Sequence, residues 1–137
     1  MTLEPAVTLE PGESFELRVT PDPYVTIRYA GASGDFNPIH IDEDFARSVG
    51  LPGRILHGLW TMAQVARAHT DAGGSPQSLE SLAVQFRGMG LMGEEITVAG
   101  TVREVREVTD GVATVDSEAV QSGHRIIRNG VAELAVE

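Results

Sequence analysis

The chain has 137 residues, 42% of them hydrophobic, a formal net charge of −10 and no cysteine. That is one domain, 1–137, with enough apolar side chains for a core. The charge excludes a nucleic-acid binder, whose phosphates need a basic stripe, and disfavours an anionic membrane surface.

No stretch approaches the run of about 18 uncharged apolar residues that a membrane helix needs. Met1–Pro5 shows no basic-then-apolar leader pattern, so no secretory signal is expected. Without cysteine there are no disulfides and no thiol chemistry, which fits a cytoplasmic protein.

Residues 1–13 are rich in Pro, Glu and Gly and read as irregular. Phe15, Leu17 and Val19 alternate with polar residues, the period of a strand. After Pro21-Asp22-Pro23, a helix is expected over Tyr24–Ala32, with Asp22 as N-cap and Pro23 in its first position. Asp35–His40 reads as a turn. Asp42–Val49 reads as a short helix stopped by Gly50-Leu51-Pro52-Gly53. Leu56 to about Asp71 is the one long helix, with Leu59, Met62, Ala63, Ala66 and Thr70 on its apolar face; Gly73-Gly74-Ser75-Pro76 ends it.

The period then changes to two. Leu82–Phe86, Ile96–Val102, Val112–Val120 and Ile126–Val136 read as four strands of a meander. Asp110-Gly111 and Ser122-Gly123 are hairpin turns; Asn129-Gly130 is discounted because a turn there leaves stubs too short to pair. The order predicts an α+β domain in which an antiparallel sheet curves around one long helix.

Two segments carry chemistry. In Tyr29-Ala30-Gly31-Ala32-Ser33-Gly34-Asp35-Phe36-Asn37-Pro38-Ile39-His40, an acid and an imidazole stand five positions apart in a turn. In Leu56-His57-Gly58-Leu59-Trp60-Thr61-Met62, a glycine opens the long helix, whose first amides lack intrahelical partners and sit at the positive end of its dipole. A proton-transfer pair beside such amides suits a reaction at a carbonyl compound. The four histidines lack metal-ligand spacing, and no metal is expected. His57 is assigned packing or hydrogen bonding at the helix start. His69 and His124 read as surface histidines, Trp60 and Met62 as core or pocket lining, and Arg54, Arg87 and Arg128 as solvated surface groups.

The first segment resembles the signature of the MaoC-like, R-specific enoyl-CoA hydratases of the hot-dog superfamily, and the second resembles the start of their central helix. The resemblance runs from about residue 14 to 136 and implies a hot-dog fold. It implies a hydro-lyase that reversibly hydrates trans-2-enoyl thioesters to (3R)-hydroxyacyl thioesters. On it, Asp35 and His40 take the positions of the catalytic dyad, Asn37 that of a supporting residue, and Gly58 that of the oxyanion-hole amide. Coenzyme A or the phosphopantetheine of a carrier protein would enter as part of the substrate, with no separate cofactor. A homodimer or higher oligomer is implied, or pairing with a second hot-dog subunit. A carrier-protein dehydratase is the nearest alternative, and a non-catalytic thioester-binding module a more distant one. Where some relatives place a serine on the central helix, this chain reads Gln64-Val65-Ala66-Arg67.

Overall fold

The computed structural model describes residues 9–106 and 111–136. In chain order the elements are β1 (Ser14–Val19), α1 (Val25–Ser33), α2 (Pro38–Ile41), α3 (Glu43–Ser48), α4 (Gly58–Gly73), β2 (Leu79–Phe86), β3 (Ile96–Arg106), β4 (Val112–Gln121) and β5 (His124–Ala135). A single 3-10 turn, Pro76–Ser78, joins α4 to β2. The strands form one antiparallel sheet in the order β1-β3-β4-β5-β2, packed on α4. This is the expected α+β hot-dog architecture. Among the described residues no helix is long and apolar enough to cross a membrane.

One part of the predicted topology is wrong. β3, β4 and β5 are a meander, but β2 lies beside β5 at the far edge, with Leu82 opposite Ala132 and Phe86 opposite Ile127. The connection explains this. Residues 87–95 do not fold back into a hairpin but cross two strands, about 14 Å at ~4.8 Å per strand spacing. Extended chain of that length reaches about 30 Å. The crossing segment is pinned on the way. Leu56 N–H donates to Gly90 O (2.8 Å) and Gly93 N–H to Pro21 O (2.7 Å). The buried Gln121 amide accepts from Leu91 N–H (2.8 Å) and donates to Leu91 O (2.8 Å) and Glu94 O (2.9 Å).

A row of opposed residues runs across the whole sheet: Leu17, Val98, Ala119, Ile127 and Phe86. Its middle three are fully buried and belong to the core cluster that also holds Val65 and Ala68 of α4. The predicted apolar face of α4 is therefore rotated. The buried side chains are Thr61, Val65, Ala68 and His69, whereas Leu59 is 62% exposed. Small and apolar residues occur on two sides of this helix, and the polar label of His69 disguises the side that enters the core.

His69 is thus not a surface residue. It is wholly buried, edge-on to Phe15 with ring centroids 5.1 Å apart, and its Nδ1–H donates to Val65 O at 2.7 Å. Burial pushes its pKa below the ordinary histidine value, so it is held neutral.

The local signals fare better. Ser122 and Gly123 adopt φ 50° and 79°, the left-handed pair of a two-residue hairpin. Asn129 is also left-handed, φ 50°, but sits at an irregularity inside β5, and the strand continues through it. Asp110, of the other expected hairpin, lies outside the described residues. α1 begins at Val25 with Tyr24 as its N-cap, so Asp22 and Pro23 are not its cap and first residue; Asp22 Oδ1 accepts from Tyr24 N–H (2.8 Å) in a turn ahead of the helix. α4 begins at Gly58 rather than Leu56, because His57 at its N-cap is extended (φ −66°, ψ 133°).

Candidate active site

The site grows from the end of α1. Gly34 leaves the helix with φ 79°, a conformation that favours glycine, and its N–H closes on Ala30 O. Ser33 Oγ accepts from Asp35 N–H at 3.1 Å. Asp35 Oδ1 accepts from Asn37 N–H at 3.2 Å, and Asn37 Oδ1 accepts from Ile39 N–H at 3.2 Å. Asn37 so caps α2, with Pro38 in its first position, and the segment expected to be a plain turn ends in one helical turn. Asn37 reaches Asp35 through its backbone; its side chain serves the cap.

That turn carries His40 into the interior. The ring is buried, and Nδ1 lies 2.8 Å from Ile55 O. A carbonyl only accepts, so Nδ1 bears the proton and Nε2 carries the lone pair. Nε2 stands 3.9 Å from Asp35 Oδ2. This is too far for a direct hydrogen bond, but a single oxygen bonded to both groups spans it. The Asp35 side chain is 52% exposed and the His40 side chain 9%, so the pair straddles the surface.

Gly58 is the first residue of α4, and its N–H has no partner within the helix. A cleft of about 300 Å³ is lined by Tyr29, Asp35, His57, Gly58, Leu59 and Phe86. Asp35 and Gly58, far apart in sequence, thus open on the same space. Hollows of about 320 Å³ beside Asp116 and Arg128 and about 480 Å³ beside Arg87 and His124 are comparable in size, but neither includes a residue of this cluster.

His57 completes the arrangement. Its ring is 2% exposed and stacks on His40 with centroids 3.9 Å apart and planes at 22°. Its Nε2–H donates to the backbone oxygen of Asp35 at 3.0 Å. Packing and hydrogen bonding were the expectation; that both are directed at the dyad was not visible in the sequence. The one available signal was its place beside Gly58.

Asp35, His40 and His57 each offer an atom within 4.8 Å of the others. Stacked rings, however, direct their in-plane lone pairs side by side rather than at one centre, and His57 Nε2 is committed to a carbonyl. The geometry suits proton transfer better than chelation.

Arg54 is not a solvated residue. It donates to Pro23 O (3.0 Å) and Thr26 Oγ1 (3.3 Å) and pairs with Glu43 at 3.4 Å, bracing α1 against α3. Arg87 and Arg128 are exposed, as expected.

This is the hot-dog fold, with an acid and an imidazole opposed at 3.9 Å and the acid on the same cleft as the first residue of the central helix. The MaoC like domain family matches residues 6–122, and the chain belongs to that family. The chain is 35% identical over 97 residues to the enoyl-CoA hydratase ChsH3 of Mycobacterium tuberculosis, covering 69% of this chain and 34% of that protein. It is 45% identical over 73 residues to a fatty acid synthase subunit beta of Aspergillus oryzae, covering 51% of this chain and 4% of that one. The chain thus spans 34% and 4% of these two relatives. Among solved structures, the (R)-hydratase of A. caviae involved in PHA biosynthesis superposes with a TM-score of 0.85 at 22% identity, covering 94% of this chain and 98% of its own.

Proposed function

We propose that the protein is a hydro-lyase that adds water across the C2=C3 bond of trans-2-enoyl thioesters to give (3R)-hydroxyacyl thioesters, and runs the reverse dehydration. The observation that carries this reading is the 3.9 Å gap between Asp35 Oδ2 and His40 Nε2, with Asp35 itself lining the cleft that Gly58 lines.

A water held in that gap gives its oxygen to C3 and one proton to the dyad. Its hydroxyl becomes the C3 substituent, and a proton returns to C2. Both groups act on the same water, so acid and base roles are assigned to the dyad rather than to either residue. As C3 is attacked, charge moves to the thioester oxygen, where the Gly58 N–H and the helix dipole stabilise it. The Ile55 carbonyl keeps the His40 proton on Nδ1, leaving Nε2 free to accept.

The relative named enoyl-CoA hydratase supports a coenzyme A thioester as substrate. The segment shared with a fatty acid synthase subunit beta favours a carrier-protein thioester as second reading. We place a second hot-dog subunit, identical or not, against the exposed Leu59 and Phe86 and the edge strand β2. The cysteine-free chain suits the cytoplasm.

The test is loss of enoyl absorbance with crotonyl-CoA and octenoyl-CoA, beside an Asp35→Asn control. Turnover to the (3R)-alcohol that vanishes in the control is expected. A folded protein inert on coenzyme A and carrier-protein thioesters alike would overturn the reading.

A further inference from the structure

We infer that His57 is a positioning residue that ties together the three working parts of the site: the Asp35 backbone, the His40 ring and the Gly58 amide. The inference rests on the hydratase reading above for its kinetic consequences, though not for its geometry.

Each link is direct. Through Nε2–H the ring holds the Asp35 carbonyl at 3.0 Å. Through its face it supports the His40 ring at 3.9 Å, while Tyr29 closes its other contact at 4.7 Å. Through the chain it precedes Gly58, the first residue of α4. A shift of His57 therefore moves the carboxylate, the imidazole and the oxyanion donor relative to one another.

Two features show that His57 is not there for stability alone. It occupies the N-cap of α4, where Ser, Thr, Asp or Asn would satisfy a free amide, yet its side chain makes no capping bond. Its Nδ1 is buried with no hydrogen-bond partner among the described residues, a position where an apolar ring would cost nothing. Both sacrifices leave Nε2–H free for the Asp35 carbonyl. A phenylalanine would fill the same space and stack equally well, but could not hold Asp35.

The experiment compares wild type, His57→Phe and His57→Gln, with Asp35→Asn as control. Nitrogen-15 correlation spectra of the histidine rings first locate the protons in the wild type: Nε2 for His57 and Nδ1 for His40 are expected. His57→Phe should keep its melting temperature, since ring volume and stacking survive. Its kcat should fall about 100-fold with KM within twofold of wild type, the signature of misplaced groups rather than weakened binding. His57→Gln, whose amide nitrogen can replace Nε2–H, should recover at least about tenfold of that loss.

A His57→Phe enzyme within threefold of wild-type kcat overturns the inference, as does a wild-type His57 with its proton on Nδ1. Wild type inert on enoyl thioesters, or an undiminished Asp35→Asn variant, counts against the hydratase reading instead. The proton on His57 then still decides the tether: Nε2 sustains it and Nδ1 refutes it.

Discussion

The ring of Phe86 lies against the backbone of Gly58, so close that a Cβ at Gly58 would stand 3.1 Å from Phe86 Cε1. The contact joins the end of an edge strand to the first amide of the central helix. It also explains the glycine, since a side chain would displace the ring that walls the cleft. Phe86 is 47% exposed in the single chain, and its ring need give by only a few tenths of an ångström to admit a Cβ. Gly58→Ala should therefore fold normally, with stability unchanged or raised by up to about 1 kcal/mol from helix propensity. Its kcat should fall by roughly 10- to 100-fold, because the substrate oxygen is held off the amide. Kinetics beside urea denaturation separate the two effects; a variant as active as wild type would remove Gly58 from the oxyanion hole.

Asp35 and His40 should behave as one unit. Asp35→Asn and His40→Gln should each lower kcat by about 10²- to 10⁴-fold, and the double variant should be little worse than either single one. With its side chain 52% exposed, Asp35 should change unfolding stability by no more than about 0.5 kcal/mol on substitution. Additive losses would mean the two groups act in separate steps.

Gln121 is the clamp of the crossing segment. It is 4% exposed, and its amide makes three hydrogen bonds to Leu91 and Glu94. Gln121→Ala should cost about 2–4 kcal/mol, at about 1 kcal/mol per bond plus the groups left unpaired. The same loop carries Gly90, whose carbonyl holds Leu56 N–H two residues before Gly58, so kcat should fall too. Equilibrium unfolding in urea measures the first effect; stability within about 0.5 kcal/mol of wild type would show that the clamp is dispensable.

Burial of His69 lowers its pKa in the folded state below the 6.5 of an unhindered histidine. Between the depressed value and 6.5 the unfolded chain binds a proton that the folded one does not. Stability from this group is thus complete above 6.5 and is lost as pH falls below it, by at most about 1.4 kcal/mol per pH unit. His69→Phe should flatten that part of the profile. Urea titrations of both proteins at pH 7.5 and 5 check this, and equal losses would show that other groups set the acid limb.

Much of the site was legible because its geometry is local. Gly34, Asn37 and Pro38 shape a few consecutive residues through turn and cap chemistry, and this brings Asp35 and His40 near one another across five positions. The Ser122-Gly123 hairpin and the existence of a long helix are equally local, set by backbone conformation and by hydrophobic period.

What remained hidden depends on contacts between distant segments. A period places apolar residues on a helix but does not say which way the helix is turned, so the face with Leu59 and the face with Val65 and His69 were equivalent until the sheet covered the second. Strand-like alternation does not name a strand's neighbour, and β2 found β5 only because residues 87–95 are long enough to cross and Gln121 holds them there. The stacking of His57 on His40, and of Phe86 over Gly58, has no local cause at all. The amino-acid sequence determined which chemistry stands in one turn; tertiary packing decided what walls that turn, braces it and brings the helix amide beside it, because side chains far apart along the chain meet only when the core excludes water between them.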